Sequence, residues 1–438
     1  MADYSKAEIM QIVEDEDVEF IRLQFTDMQG LLKNIAIPAN RVCKAMDGQY
    51  TIDLASLEGF GKGDTEELYS KPRLDTFTIL PWRPQQGKVA RFLCDIYRAD
   101  GTEYEESPRY ILKRVMEHVA KQGYSLQVNP ECEFFLFHTD DNGQPTTLSH
   151  ERATYLDTSP VDLGENTRRD IILAMEDMGY NIDSSHHEIA PAQHEIDFSY
   201  DDALVTADKI ITFKVAARTI ARRYGLHATF MPKPRAEVNG SGMHLRLRLI
   251  KDGKNILVDE KGELSEEGRA FLAGILYHIP GMTAILNPLV NSYKRLVPGF
   301  EAPWELTWSA SQRNALIRVR KNSKDIELRS PDGAANPYLA FALCMAAGVD
   351  GINRNMEAQE ELLEDLRRLS EEERIGKGIV TLPENLGEAL QAMKEDQLVC
   401  DTLGNDFASK YLKAKRKEWK GYLEQVSEWE REQYLYLV

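Results

Sequence analysis

The stretch SSHHEIAPAQHEIDF, residues 184–198, sets three histidines, two glutamates and an aspartate among isoleucine, alanine, proline and phenylalanine. Side chains alternate faces along a strand with a period of two. His186 and Glu188 then share a face, Pro191 sits in a turn, and Gln193, Glu195 and Asp197 share a face on the return. His187, Ile189, His194, Ile196 and Phe198 take the opposite sides, which makes His187 and His194 structural hydrogen-bonding residues. The stretch predicts a β-hairpin with Glu188 and Glu195 facing the same space.

Three more segments repeat the pattern. In ECEFFLF (131–137), Glu131 and Glu133 lie opposite Cys132, Phe134 and Leu136. In VNGSGMHLRLRLI (238–250), His244, Arg246 and Arg248 oppose Met243, Leu245, Leu247 and Leu249. In DIELRS (325–330), Glu327 and Arg329 oppose Ile326 and Leu328. One such strand alone reads as the solvated face of a half-exposed sheet. Four of them, all choosing Glu or His, point elsewhere, because a buried unpaired carboxylate costs several kcal/mol and neighbouring ones repel. Divalent cations resolve the conflict. Five glutamates and one histidine suit a hard metal, magnesium or manganese, over zinc, and no HExxH or paired CxxC is present.

The rest of the chain bounds the answer. Its 438 residues suggest two domains, or one large domain with a smaller partner. A net charge of -18 argues against nucleic acid or anionic membrane as partner. Five scattered cysteines (Cys43, Cys94, Cys132, Cys344, Cys400) fit reduced residues of a cytosolic protein. The acidic, amphipathic N-terminus is unlike a signal peptide, and no apolar run reaches the roughly 18 residues of a membrane span. These features predict a soluble, cytoplasmic protein.

Residues 1–103 read as a short helix and then strands at VEFIRLQFTDM, LKNIAIP, DTFTILPW and GKVARFLCDIY, with a turn at Asp27 and Gln29-Gly30. A helix over 107–124 starts with Ser107 as N-cap and Pro108 at N1, which places the domain boundary just before it. Further helices are expected over 202–224 and 265–285. The last hundred residues read as charged, solvated or subunit-facing helices. The class is mixed α+β.

Arginines supply a second theme. KRLVPGFEAP (294–303) sets Lys294, Arg295 and Glu301 around a Pro-Gly turn, as a mobile loop would, and RNALIRVRK (313–321) adds Arg313, Arg318 and Arg320. Metals with converging guanidinium groups are what phosphoryl transfer needs. GFGKGDT (59–65) lacks the GxxxxGK[ST] spacing, so a nucleotide site would be of another type.

These residues carry a family resemblance. VNGSGMH, PECEFFLF, HHEIAPAQHE, NSYKRLVPGFEAP, IELRSPDGAANPYLA, HATFMPKP and WEREQY resemble type I glutamine synthetase, and IRLQFTDMQGLLKN resembles its N-terminal strand. The likeness runs along essentially the whole chain and is nearest the short, Gram-positive-like branch. It implies an N-terminal β-grasp domain (1–103) and a larger catalytic domain (104–438) with a curved antiparallel sheet flanked by helices and a helical C-terminal region. It also implies a dodecamer of two hexameric rings with active sites between subunits.

By that resemblance one metal ion, magnesium or manganese, is held by Glu133, Glu188 and Glu195, and a second by Glu131, His244 and Glu327. Asn239, Gly240, Arg295, Glu301 and Arg329 bind glutamate. Asp53, Ser56, Tyr155, Glu188 and Glu301 bind ammonium, while Asp183, Tyr200, Arg246, Arg248, Arg313 and Arg318 bind ATP. Asp53, Glu301 and Arg313 are the catalytic residues. The implied reaction joins ammonia to glutamate through γ-glutamyl phosphate, giving glutamine, ADP and phosphate.

The chain departs from the family in places. DLASLEGF stands for the family's DGSSIEGF, so Leu54 and Ala55 replace a glycine and a serine. Arg246 and Arg248 follow the MH pair, Asp325 replaces an arginine, and the loop before Glu327 is about three residues short. Arg320, Lys321 or Lys324 are candidates for the missing charge. Lys62 stands where that branch has an arginine linked to feedback, and RRLSEEERIGKG lacks the tyrosine of adenylylation control. Two alternatives follow: a γ-glutamyl ligase for a larger, polyamine-type amine, and a weakly catalytic nitrogen sensor that binds a regulatory protein.

Overall fold

The computed structural model describes residues 4–53, 57 and 67–438. Leu54, Ala55, Ser56, Lys62 and the GFGKGDT stretch lie outside the described residues.

Helix α1 (Lys6–Asp15) begins with a capping box between Ser5 and Glu8. Strands β1 (Val18–Thr26) and β2 (Leu32–Pro38) follow, then helix α2 (Val42–Met46) and strands β3 (Tyr50–Asp53), β4 (Glu67–Pro72), β5 (Thr78–Ile79) and β6 (Lys88–Tyr97). They form one sheet in the order β2-β1-β6-β4-β3, with β5 on β6 and β1 parallel to β6. The turn between β1 and β2 is the expected one. Asp27 Oδ1 accepts from the Gln29 and Leu31 amides, and Gly30 takes a φ of +81° that favours glycine.

DTFTILPW departs from its strand reading. A 3₁₀ turn takes Leu74–Thr76, and only Thr78 and Ile79 pair with β6. Pro81 then closes the segment, since it has no N–H for a ladder. Tyr50–Asp53 is an edge strand whose Asp53 pairs with Glu67.

The larger sheet is built around β7 (Tyr124–His138), which follows helix α3 (Pro108–Ala120). Helix α3 stops before the expected Tyr124 because Gly123, at a φ of +84°, turns the chain into the strand. Next come α4 (Glu165–Asp177), β8 (Ile182–His187), β9 (Gln193–Phe198), β10 (Asp201–Asp202), α5 (Ala203–Ala221), β11 (Leu226–Thr229), β12 (Met243–Lys251) and β13 (Lys254–Asn255). Helix α6 (Glu266–Leu286), β14 (Trp308–Ser309), β15 (Ile317–Arg320) and β16 (Asp325–Leu328) complete the sheet region. The order is β14-β15-β16-β12-β7-β9-β8, antiparallel except at β14–β15. β8 and β9 form the expected hairpin, with His186 opposite Glu195 and His187 opposite His194.

One face of this sheet is apolar. Cys132, Phe134, Leu136, Met243, Leu245, Leu247 and Leu249 are buried in the main core against α5, where Phe134 meets Phe213 and Phe230 at ring distances of 5.8 and 5.6 Å. The other face carries Glu131 and Glu133. Buried Arg109 of α3 ties the N-terminal sheet to helix α5: it bonds Asp95 of β6 at 2.5 Å and Asp208 of α5 at 2.9 Å. Tyr338 donates to the same Asp208 at 2.6 Å.

The chain ends in α7 (Pro337–Asn353), α8 (Glu371–Gly376), α9 (Leu386–Glu395), α10 (Gln397–Leu403), α11 (Asn405–Leu423) and α12 (Glu428–Tyr434). The expectation of solvated or subunit-facing helices in this region misses how much of it packs into the chain's own core. Helix α7 is core along most of its length, and α9 to α11 bury apolar stripes including Leu390, Met393, Phe407 and Tyr411. Only α12 among α9 to α12 has no buried residue. Charged residues on the outer faces masked those stripes. Among the described residues α6 alone is long and apolar enough to cross a membrane, and 83% of its most apolar stretch is buried inside the fold. All five cysteines are free.

Helices α6 and α7 meet backbone to backbone. A Cβ on Gly351 would fall 2.0 Å from the Ala270 carbonyl oxygen, and one on Gly274 would fall 2.1 Å from that of Ala347. Gly351→Ala is therefore expected to destabilise the protein by about 1–3 kcal/mol or more, since backbone cannot yield as a side chain can. Chemical denaturation of the variant checks this, and an unchanged midpoint would refute the close contact.

Candidate active site

The carboxylate-bearing face of the larger sheet lines a cavity of about 990 Å³. β7 brings Glu131 and Glu133, the β8–β9 hairpin brings Glu188 and Glu195, β12 brings His244, and β16 brings Glu327. Register explains the convergence. Glu133 lies opposite Glu195 across β7–β9, and Glu131 opposite His244 across β7–β12. Directly opposed residues on one face are near neighbours.

Two groups in this cavity have ligand atoms all within 4.8 Å of one another: Glu131, His244 and Glu327, and His186, Glu188 and Glu195. Glu133 lies between them, with one oxygen 3.7 Å from His244 and the other accepting from the Gly242 amide at 3.0 Å. His186 was paired with Glu188 by the strand period, and its Nε2 is 2.8 Å from a Glu188 oxygen. The period-two rule also flagged Gln193 and Asp197. Gln193 donates to Glu133 at 2.8 Å, and Asp197, bonded to Ser184, stands beside Glu195.

The electrostatics of the two groups differ. Burial, with Asp197, Glu133, Glu131 and Glu188 nearby, pushes Glu195 well above the usual carboxylate range. Burial likewise raises Glu133 and Asp197. Glu131 behaves oppositely: burial pushes it up, but His244, Arg320 and Arg246 together bring it down to about 2. Arg320, a residue whose role the sequence left open, donates to Glu131 at 3.0 Å and to Glu327 at 3.3 Å. Arg318 and Arg329 flank Glu327 at 3.1 and 3.2 Å.

The residues present fit divalent cations. The donors are hard oxygens and imidazole. Excess negative charge is concentrated at Glu133, Glu195 and Asp197, and Asp197 Oδ1 is buried without a hydrogen-bond partner among the described residues.

A small adjoining cavity holds Asn239, Gly240, Arg295 and Arg329, and shares Glu133, Glu188, His244 and Glu301 with the first. Arg295 is fully enclosed and donates to the Ser330 and Arg329 carbonyls at 2.7 and 3.1 Å. Its approach requires glycine in VNGSGMH: a Cβ on Gly242 would lie 2.5 Å from an Arg295 nitrogen, and one on Gly240 would lie 2.2 Å from the Pro232 carbonyl. Tyr155, Arg313, Arg318 and the 298–305 loop with Glu301 complete the large cavity.

Other expected residues lie elsewhere. Asp53 lines a separate cleft on the N-terminal sheet with Lys33 and Asn34, so one chain does not bring it to the glutamates. Asp183, Tyr200, Arg246 and Arg248 are not in the cavity lining among the described residues. Tyr200 donates to Asp325 at 2.6 Å, Arg246 bonds the same oxygen at 3.3 Å, and Arg248 lies 3.7 Å from the Tyr200 ring centre. His187 and His194 face away, as expected. His187 bonds Glu151, and Arg168 bridges His194 and Asp162 at 2.8 Å each.

Fold and site together define an α+β protein with a two-centre carboxylate cavity. Residues 105–434 match the glutamine synthetase catalytic domain and residues 17–99 the glutamine synthetase beta-grasp domain. The chain is 50% identical over 440 residues to glutamine synthetase of Clostridium saccharobutylicum, covering 99% of each. It is 47% identical over 438 residues to that of Staphylococcus aureus, covering 99% of this chain and 98% of the relative. Among solved structures, a complex of GmaS with ADP superposes with a TM-score of 0.89 at 32% identity, covering 97% of this chain and 99% of that one. Glutamine synthetase of Plasmodium falciparum superposes at 0.85 with 25% identity, covering 99% of each. The chain belongs to the glutamine synthetase family. Its activity is the synthesis of glutamine.

The crowded carboxylates yield a test. Glu195→Gln should raise the melting temperature of the metal-free protein, because it removes one of several buried like charges. It should also shrink the melting-temperature rise that manganese gives the parent protein. Differential scanning fluorimetry with and without manganese decides it, and a variant melting lower without metal would contradict the account.

Proposed function

We propose that this chain makes glutamine in two steps in the cavity described above, drawing on ATP, L-glutamate and ammonium. The observation that supports this best is the convergence of five glutamates and His244 from four strands and the β8–β9 turn, with Arg295 and Arg329 beside them. Glu133, Glu188 and Glu195 would hold one divalent cation, magnesium or manganese, and Glu131, His244 and Glu327 the second. When bound, such cations supply positive charge that offsets the oxygens of a transferring phosphate.

Arg295 and Arg329 pair with the carboxylates of glutamate, while Asn239 and the glycine backbone at Gly240 let the substrate approach closely. Arg313 and Arg318 neutralise phosphate oxygens from the cavity wall. A γ-carboxylate oxygen of glutamate bonds to the γ-phosphorus of ATP and ADP leaves, giving γ-glutamyl phosphate. Ammonium is received among Tyr155, Glu188 and Glu301, with Asp53 and Ser56 supplied by a neighbouring subunit. Asp53 takes a proton from ammonium, and the resulting ammonia attacks the acyl carbon of the γ-glutamyl phosphate, forming the amide C–N bond as the C–O bond to phosphate breaks and phosphate leaves. Glu301 rides on the Pro298-Gly299 turn, where Gly299 has a φ of +94°, and closes over the intermediate to exclude water.

The need for a second subunit rests on the separation of Asp53 from the glutamate cavity within one chain. In this reading the active form is a dodecamer of two hexameric rings in the cytoplasm, each subunit built from an N-terminal domain of 1–103 and a catalytic domain of 104–438. The base of ATP would lie toward Asp183, Tyr200, Arg246 and Arg248. The GmaS structure holds ADP in a related fold, which supports a nucleotide here.

Phosphate release from ATP tests the reading. It is expected to require glutamate, ammonium and a divalent cation. Turnover with a polyamine and none with ammonium would overturn it, as would no turnover from an intact assembly. Glu133→Ala should cut the rate at least a thousandfold while size-exclusion chromatography shows an unchanged oligomer, and retained activity would refute the metal assignment.

A further inference from the structure

Another cavity, of about 280 Å³, shares no lining residue with the glutamate cavity and lies where the β1–β2 turn meets α5, α7 and α11. Three cationic residues line it, Lys214, Arg218 and Lys415, and no acidic residue does among the described residues. That imbalance is notable in a chain of net charge -18. Lys415 is already paired with Glu418 at 2.8 Å. Lys214 and Arg218 are four residues apart on α5, hence on one face of the helix. Lys214 spends one donor on the Ala335 carbonyl at 3.1 Å, and the Arg218 guanidinium lies 5.5 Å from the centre of the Phe230 ring. Neither has a carboxylate partner among the described residues. Burial pulls the Lys214 ammonium down to about 8, with Cys132 and Asp332 only partly opposing it.

The remaining walls select the kind of anion. Met28, Leu31, Ile211, Phe230, Leu289 and Leu339 are apolar. An inorganic ion would lose its hydration against them and regain it only at two points. A carboxylate on a hydrocarbon body would place its charge between Lys214 and Arg218 and its carbons against the walls, the usual composition of a small-molecule site.

We infer that the cavity between the β1–β2 turn and helix α5 is a binding site for a small organic carboxylate, held by Lys214 and Arg218. The site touches the catalytic cavity through one segment. Residues Gly333, Ala334 and Asn336 line the anion cavity, and Ala335 accepts from Lys214. Four to six residues earlier, the Arg329 and Ser330 carbonyls accept from Arg295, and the Pro331 carbonyl accepts from the Met243 amide at 2.9 Å. A carboxylate that draws Lys214 off Ala335 acts on the same segment that seats Arg295 and Arg329. Occupancy therefore changes glutamate affinity, and glutamate changes carboxylate affinity by the same factor.

The test uses the assembled enzyme with hexanoate, benzoate and glutarate as probes, and inorganic phosphate and sulfate as controls. Calorimetry and thermal shift should show saturable binding of at least one carboxylate and none of the inorganic ions. Arg218→Gln should weaken that binding at least tenfold while glutamine synthesis without the probe stays within twofold of the parent. Lys214→Met, which keeps the buried bulk, serves as the second variant. Absence of saturable binding, or binding unchanged in both variants, overturns the proposal, as does an experimental structure of the assembly in which a neighbouring subunit fills the cavity. These binding arms do not depend on how the glutamate cavity is read. Only the coupling arm does: the KM for glutamate should shift with the bound carboxylate in the parent and not in Arg218→Gln, and an unchanged KM with proven binding removes the coupling alone.

Discussion

Like charges buried side by side are the constraint on which this molecule turns. Glu133, Glu195 and Asp197 sit on one face of neighbouring strands, away from bulk water, and the pairing register makes them neighbours whether or not that is comfortable. The arrangement opposes folding and is held in place by the other face of the same strands, where Phe134, Ile196, Leu245 and Leu247 fill a core. A sheet can present a hostile face only when its opposite face is anchored so well. The repulsion is also what makes the cavity a receptor for cations, since the same field that destabilises the empty site favours a positive ion in it.

The two halves of the cavity resolve that constraint differently. Glu131 and Glu327 are met by Arg246, Arg318, Arg320 and Arg329, so their charge is largely matched within the chain. Glu188, Glu195 and Asp197 have His186 beside them and, among the described residues, no comparable set of guanidinium groups. The arginine-rich side lies toward Arg313 and Arg318, where an anionic phosphate is accommodated in the proposed reaction. The residues that depart from the family pattern gather beyond it. Asp325 ties Tyr200 and Arg246 together, and Arg248 reaches over to the Ser323 carbonyl, so the short 319–325 segment is fastened by the very residues that distinguish this chain.

Backbone proximity does as much as side-chain chemistry in fixing the site. The glycines of VNGSGMH exist because Arg295 and the Pro232 carbonyl occupy the space a Cβ would need. Arg295 in turn is oriented by carbonyls of 329–330, and the following residues run into the N-terminus of α7, where Asn336 bonds the Met28 carbonyl at 3.4 Å. Arg295, segment 329–336 and the N-terminal sheet are thus mechanically continuous.

The alternation of polar and apolar residues in 131–137, 184–198, 243–249 and 325–330 was enough to assign faces, predict the β8–β9 hairpin and collect the carboxylates, because side-chain direction in a strand is a local property. The family likeness extended that to roles. The sequence was less informative where burial depends on distant partners. Helices α9 to α11 read as solvated because their charged outer faces hid apolar stripes, and 75–82 read as a strand although a 3₁₀ turn and Pro81 left two paired residues. That Arg320 bridges Glu131 and Glu327, that Asp325 locks Tyr200 and Arg246, and that Asp53 stands apart from the glutamates are outcomes of register and strand order. Those depend on contacts between residues tens to hundreds of positions apart, which no local pattern encodes.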